Sequence, residues 1–399
     1  MDKINVAVLF GGRSCEHEIS IISGLQLIEF LDTEKYNAIP VYVAKDGRWY
    51  SGDELLNRTF YKDFENKKKM LSEVMLYPFV GQKGLTVLKK AYFFGEKFIP
   101  VDMYFPVFHG ELGEDGAMQG LLELAGVPYA GSNVLASSVA MSKDTAKALV
   151  SSYGIKVLPS ITILKEFVNN HGVESAKKEV FKNSALKYPL FVKPNNLGSS
   201  IGVSKASNDG ELFLALSNVF KHDTEALIEP FMDDMFEINI SLLDTTDGLK
   251  ASVVEIPVPD GNFLSYEDKY LRDGKGKKGS SPLKTRISIS QGMAGLTRAI
   301  DPVDLSDEIK KKVTEYGKII FRALKASGVA RLDFMYDKKS ENIYFNEANL
   351  IPGSLAFYLW EKSEPTILYT EELSMIIDRA FEVYELKQGL KKDLGFKAL

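Results

Sequence analysis

The opening of the chain constrains its fold most. INVAVLFGG (residues 4–12) is an apolar run that ends in a glycine pair. CEHEISIISGLQLIEFL (15–31) follows, with Ile21, Leu25 and Ile28 at helical spacing. AIPVYVAKDGRWY (38–50) is a second apolar run leading into a turn. A strand, a glycine turn, a helix and a strand in that order predict a parallel sheet with crossover helices. VDMYFPVFHGELGEDG (101–116) adds a strand that enters a polar, glycine-punctuated loop, and AMQGLLELAG (117–126) reads as a helix closed by Gly126.

With 399 residues the chain is too long for one ordinary core. Three divisions are expected: a parallel-sheet domain over 1–130, a central domain over 131–226 and a C-terminal domain over 227–399. VPYAGSN (127–133) marks the first boundary. After it come a helix through LASSVAMSKDTAKALVSSYG, strands at PSITIL and YPLFVKPN, and a strand-rich third region that begins at EALIEPFMDDMFEINISLLD. The 45% hydrophobic, 26% charged composition is that of a globular protein. A net charge of −5 argues against bulk attraction to nucleic acid or an anionic membrane, so an anionic ligand needs a local site. The single cysteine, Cys15, excludes an internal disulfide and a cysteine-based zinc site. No apolar run reaches the roughly 20 residues of a membrane span. The start carries no secretory pattern, and a cytoplasmic location is expected.

The segment VARLDFMYDKKSENIYFNEANLIPGS (329–354) reads as a hairpin turning at DKKSEN. Alternation puts Ala330, Leu332, Phe334 and Tyr336 on one face, Arg331 and Asp333 on the other, and Phe345, Glu347 and Asn349 together. A turn near Lys339–Ser340 sets Asp333 opposite Glu347, a destabilising pairing of like charges. Either the register differs or something positive lies between them. Asp333, Glu347 and Asn349 are hard oxygen donors, suited to Mg²⁺ beside phosphates; a carboxylate pair split by Lys or Arg is the structural alternative. Arg331 is read either as an oxyanion partner or as a salt bridge to those acids. Ahead of the hairpin, Ile309, Val313, Tyr316, Ile320 and Leu324 make a helical stripe stopped by Gly328.

FVKPNNLGSSIGVSKA (191–206) delivers Lys193 into a loop of small residues, Gly198, Ser199, Ser200 and Gly202, whose backbone N–H groups suit phosphate or a plain turn. No Walker A motif occurs, and the G-x-G-x-x-G spacing is absent. ALIEPFMDDMFEINI (226–240) offers Glu229, Phe231, Met232 and Glu237 as a nucleotide edge or an acidic surface loop. Glu16, in FGGRSCEHEIS, is a helix cap or an amine ligand. His109, in VFHGELGEDG, is a structural or a catalytic histidine. YLRDGKGKKGSSPLKTRISISQG (270–292) is long and glycine-rich, as functional lids are.

In order along nearly the whole chain, VLFGGRSCEHEIS, FPVFHGELGEDGAMQGLLELAGVPYAGS, MSKDTAK, YPLFVKPNNLGSSIGVSK, SYEDKYL, ARLDFM and NEANLIPGS resemble the D-alanine–D-alanine ligases of the ATP-grasp superfamily. The resemblance implies an α/β, three-domain architecture whose central and C-terminal α+β domains clasp ATP beside an N-terminal Rossmann-like sheet. It implies that Lys143, Lys193, Ser200 and Lys269 hold phosphates, that Glu229 with the Phe231–Met232 backbone meets adenine, and that Glu237 meets ribose. Asp333, Glu347 and Asn349 would bind two Mg²⁺ or Mn²⁺ ions. Glu16, Ser199 and Tyr270 would form a hydrogen-bonded set around the first amino acid, with His109 near its carboxylate. Arg331 and the Gly353 backbone would stabilise a tetrahedral intermediate. The implied reaction joins two D-alanines through an acyl phosphate for peptidoglycan precursors, with residues 264–285 as the lid and a homodimer as the assembly. Tyr270 implies an amine acceptor. The sequence departs from the family pattern at NLIPGSLAFYL, where Leu350 replaces a threonine and Tyr358 stands at the serine that contacts the second substrate, and at Leu197 in the phosphate loop. The same chemistry with D-serine or another small acceptor is the alternative, and a non-catalytic nucleotide-binding regulator the more distant one.

Overall fold

The computed structural model describes residues 2–82, 84–88, 97–199, 201–258 and 298–391. Ser200, Lys269, Tyr270 and the 264–285 lid expected from the sequence lie outside the described residues.

Seven strands build the first sheet: β1 (Ile4–Gly11), β2 (Tyr36–Val43), β3 (Trp49–Ser51), β4 (Ser72–Met75), β5 (Gly84–Val87), β6 (Lys97–Pro100) and β7 (Met103–Pro106). Their order is β6-β5-β4-β3-β2-β1-β7. The expected parallel unit is β2-β1-β7, with the helix His17–Phe30 as the crossover from β1 to β2. From β2 to β6 each pairing is antiparallel. Gly24 sits where the crossover helix meets the sheet; a Cβ there would come within 2.6 Å of the Phe10 ring.

A four-stranded sheet in the order β10-β9-β11-β8 contains β8 (Ile161–Leu164), β9 (Leu190–Pro194), β10 (Ser204–Ala206) and β11 (Glu225–Pro230). β11, read from sequence as the opening of the third region, pairs with β8 and β9 here. Its run Ala226, Leu227, Ile228 is fully buried, as a central strand requires.

The five-stranded sheet runs β14-β13-β12-β15-β16, from β12 (Met235–Thr245), β13 (Gly248–Pro257), β14 (Arg298–Ile300), β15 (Val329–Asp337) and β16 (Asn342–Asn349). The helix Asp307–Ala323 covers one face through Val313 and Ile320. Leu324 caps that helix and Lys325 turns left-handed (φ 56°), so the helix stops before Gly328, earlier than the sequence suggested. Gly328 is needed for another reason: at φ 72°, a Cβ would lie 2.9 Å from the Gly131 backbone.

The expected single helix over 135–154 is two, Val134–Met141 and Lys143–Ser151. The break falls at Ser142, which is extended (ψ 106°), while the Lys143 N–H turns away to the Asn195 carbonyl. Ala136, Ala140, Ala146 and Val150 of this pair join the core of the five-stranded sheet. The last helix, Tyr369–Gln388, returns to the first sheet and buries Leu373, Ile376 and Ile377 in the same core as Val6, Val8 and Phe10.

Candidate active site

The polar face of the five-stranded sheet carries a row of side chains in direct register. Glu347 on β16 pairs with Asp333 on β15, Asp333 with Asn239 on β12, and Asn239 with Glu255 on β13. Asp333 and Glu347 are therefore opposed, and cations accompany both. Arg331 clasps Asp333 with Nε–Oδ1 and Nη2–Oδ2 distances of 2.7 Å. Lys143 Nζ lies 3.6 Å from Glu347 Oε2. The Arg331–Asp333 bridge is the structural reading weighed for Arg331. Asn349 donates from Nδ2 to Asp333 Oδ2 at 3.1 Å. The bridge raises the Arg331 pKa against the opposing effect of burial.

One expected alignment fails. The register shifts between Asp333 and Phe334, where two residues of β16 oppose one of β15. Asn346 is the extra residue of this β-bulge, and below it the alternation reverses. Phe345 therefore leaves the face of Glu347 and Asn349 and packs in the core, its ring centroid 6.1 Å from that of Phe334. Asn346 and Glu347 both line the cleft.

Buried lysines accompany this row, Lys193 from β9 of the four-stranded sheet and Lys143 and Lys147 from the helix Lys143–Ser151. Lys193 Nζ lies 2.8 Å from Glu229 Oε2 and donates to Asn346 Oδ1 at 3.0 Å. Lys147 also pairs with Glu229. Burial would raise the Glu229 pKa, but the two lysines hold it down at about 2. Burial lowers Lys147 to about 8 against the pull of Glu229. Burial likewise lowers Lys143, which donates to the Leu197 carbonyl at 2.5 Å. Leu197 thus serves the loop through its backbone while its side chain is buried. Phe231 stacks under Lys205, 3.9 Å from Nζ to the ring centroid, and its N–H bonds the Pro189 carbonyl at 3.0 Å. Met232 follows it, half-buried, and Glu237 lines the cleft from β12.

The first sheet supplies the third wall. Ser199 donates to Glu16 across the gap between the small-residue loop and the first helix. His109 is buried, with Nε2 2.9 Å from Ser23 Oγ, and burial lowers its pKa to about 4. Glu114 accepts the Gly110 N–H at 2.6 Å; burial, then the nearby Glu16, push its pKa up to about 8. Gly353 lines the same cavity of about 130 Å³.

At the other end of the row, Tyr358 donates to Glu255 Oε1 at 3.0 Å and Arg298 Nη1 to Glu255 Oε2 at 2.8 Å. The Arg298 guanidinium stacks on the Tyr358 ring at 3.9 Å. Burial raises the Tyr358 hydroxyl pKa.

Sequence reasoning missed Lys147, Asn346, Glu114, Asn239, Glu255 and Arg298. Lys147 had a signal, since four residues after Lys143 it shares that helix face. Asn346 had none, because a bulge leaves no mark in an alternating pattern. Arg298 and Glu255 meet only through the pairing of β13 with β14.

Lysines set against a row of acids and amides, under a small-residue loop and between two sheets, define a nucleotide-dependent ligase of the ATP-grasp class. The family model described as D-ala D-ala ligase N-terminus matches residues 5–132, and the D-ala D-ala ligase C-terminus model matches 149–293 and 292–364. A D-alanine–D-alanine ligase of Caldicellulosiruptor bescii is 36% identical over 98% of this chain and 99% of its own. One of Chloroherpeton thalassium is 35% identical over 96% and 98%. Among solved structures, the D-alanine–D-alanine ligase of Coxiella burnetii superposes with a TM-score of 0.76 at 27% identity, covering 97% of each chain. A D-Ala:D-Ser ligase of Enterococcus faecalis gives 0.71 at 31% identity, covering 96% of this chain and 100% of its own. The chain belongs to the D-alanine–D-alanine ligase family, whose members are ATP-dependent ligases. Among the described residues, no helix is long and apolar enough to cross a membrane.

Proposed function

We propose that this protein joins two D-alanine molecules, with cleavage of ATP to ADP and phosphate. The observation that carries the reading is the opposition of Glu347 and Asp333 to buried Lys143 and Lys193 across one cleft. Lys143 and Lys193 hold the phosphates; Glu229 and the Phe231–Met232 segment take the adenine edge, and Glu237 the ribose. In the structure described here, Glu229 is paired with Lys147 and Lys193, so nucleotide binding draws Lys193 toward phosphate and leaves Lys147 to neutralise Glu229.

Asp333, Glu347 and Asn349 lie side by side as a donor set that suits Mg²⁺ or Mn²⁺, and Arg331, which holds both Asp333 oxygens in this structure, would release them for an ion to bind. Among the described residues no group of three His, Cys, Asp or Glu is placed to hold a metal, so the set is two carboxylates and an amide. When bound, such ions neutralise charge on the transferring phosphoryl group.

Glu16, held by Ser199, takes the amine of the first D-alanine, and His109 stands near its carboxylate. That carboxylate attacks the terminal phosphorus and ADP leaves. The second molecule gives up its ammonium proton to solvent and its amine attacks the acyl carbon. The C–N bond forms, and phosphate departs with the C–O bond electrons and takes up the proton that the nitrogen loses. Arg331 and the Gly353 N–H steady the oxyanion between these steps. Positioning and electrostatics do most of this catalysis.

A second reading keeps the chemistry and changes the acceptor to D-serine. Tyr358 favours it, as does the likeness to a D-Ala:D-Ser ligase. Phosphate release with ATP, Mg²⁺ and D-alanine alone decides between them. Turnover supports D-alanine as acceptor; silence until D-serine is added overturns that assignment.

A further inference from the structure

The far end of the polar row has no part in holding phosphate, yet it is built with care. Glu255 is 1% exposed and carries three contacts: Tyr358 Oη, Arg298 Nη1 and, at 3.3 Å, Asn239 Nδ2. Asn239 is 4% exposed and lines the cleft, and no hydrogen-bond donor among the described residues reaches its Oδ1. A buried amide oxygen without a donor is destabilising, so an acceptor placed here calls for a ligand that donates.

We propose that Asn239, Glu255 and Arg298 select the acceptor amino acid, taking its ammonium on Asn239 Oδ1 and Glu255 and its carboxylate on Arg298. The inference rests on the ligase reading and deepens it. An α-amino acid is a zwitterion, and a buried Arg–Glu pair is its electrostatic complement. When the zwitterion enters, Arg298 trades Glu255 for the incoming carboxylate and Glu255 trades Arg298 for the ammonium. No charge is left unpaired in the interior, which avoids the large penalty of an isolated buried ion. Adjacent strands lie about 4.8 Å apart, so Glu255 is about 10 Å along the row from Asp333, with Asn239 between them, and an amino acid held over Asn239 lies within reach of both ends of the row. Tyr358, packed on Arg298 and bonded to Glu255, closes the space beyond and limits the acceptor's side chain.

The test uses the full chain and reads amino-acid-stimulated ADP formation, fitted with two saturation constants for D-alanine, one for the donor and one for the acceptor. Arg298→Ala should raise the acceptor constant about twentyfold or more, with the KM for ATP moving within about twofold. Arg298→Lys should recover part of the loss. Hydroxylamine captures the acyl phosphate and has no carboxylate, so the Arg298→Ala defect should be much smaller in hydroxamate formation than in dipeptide formation. Asn239→Leu should weaken the acceptor in the same way. Tyr358→Ser should admit bulkier D-amino acids as acceptors. Equal defects of Arg298→Ala with both acceptors, or an unchanged acceptor constant, overturn the assignment. If the unmodified protein forms no hydroxamate from D-alanine, ATP and hydroxylamine, donor activation fails, and the ligase reading falls together with this inference.

Discussion

Asp333 and Glu347 are direct cross-strand partners, and each carboxylate has a cation beside it from a different element: Arg331 from β15 itself, Lys143 from a helix start. The opposition of like charges is thus compensated within the protein. It also leaves two acids aligned for a divalent ion. Glu347→Gln should lower kcat for D-alanine-stimulated ADP formation by about 100-fold or more, with activity in the parent abolished by EDTA and restored by Mg²⁺ or Mn²⁺. Near-normal turnover of the variant would remove Glu347 from the metal set.

Lys147 and Glu229 form a buried pair that Lys193 shares. Lys147→Met leaves Glu229 with one cation, and the cost should fall near 2–4 kcal/mol, below that of a fully orphaned charge. The double variant Lys147→Met/Glu229→Leu should recover part of that loss. Urea denaturation of the four proteins of the cycle measures the coupling, and simple additivity would show that the pair contributes nothing.

His109 is held neutral by burial, with its pKa lowered from 6.5 to about 4. The unfolded chain therefore binds more protons than the folded one between those values. Stability is fully present above pH 6.5 and is lost as the pH falls toward 4, by about 3 kcal/mol from this group. Glu229, depressed to about 2, adds a second loss between about pH 4.5 and 2. Glu114, raised to about 8, pulls stability the opposite way over this range. The His109 contribution is therefore read as the difference between the parent and His109→Asn in equilibrium denaturation from pH 7 to 4, where the parent should lose stability relative to the variant as the pH falls.

Gly328→Ala meets two obstacles, a φ of 72° and the Gly131 backbone 2.9 Å from the new Cβ. Backbone cannot give way as a side-chain tip can, so the substitution should cost about 2–4 kcal/mol. The equivalent change at Gly154, left-handed but with nothing within 4 Å of the new Cβ, should cost about 1 kcal/mol. Comparable losses at both sites would mean that the Gly131 contact relaxes.

Much of this protein is local and was legible in its residues. The β1–helix–β2 unit, the amphipathic helix before β15 and the helix closed by Gly126 all follow from periodicity and glycine placement. So does the delivery of Lys193 into a small-residue loop. The register at the turn, by contrast, would set Asn346 opposite Asp333, and only the bulge brings Glu347 there. What tertiary structure alone decided is where alternation breaks and which distant elements meet. The bulge at Asn346 turns Phe345 into the core, and Ser142 splits a helix to set Lys143 over Glu347. The pairing of β13 with β14 brings Arg298 to Glu255. These outcomes depend on packing across strands and helices far apart in sequence, whose energies no single segment contains.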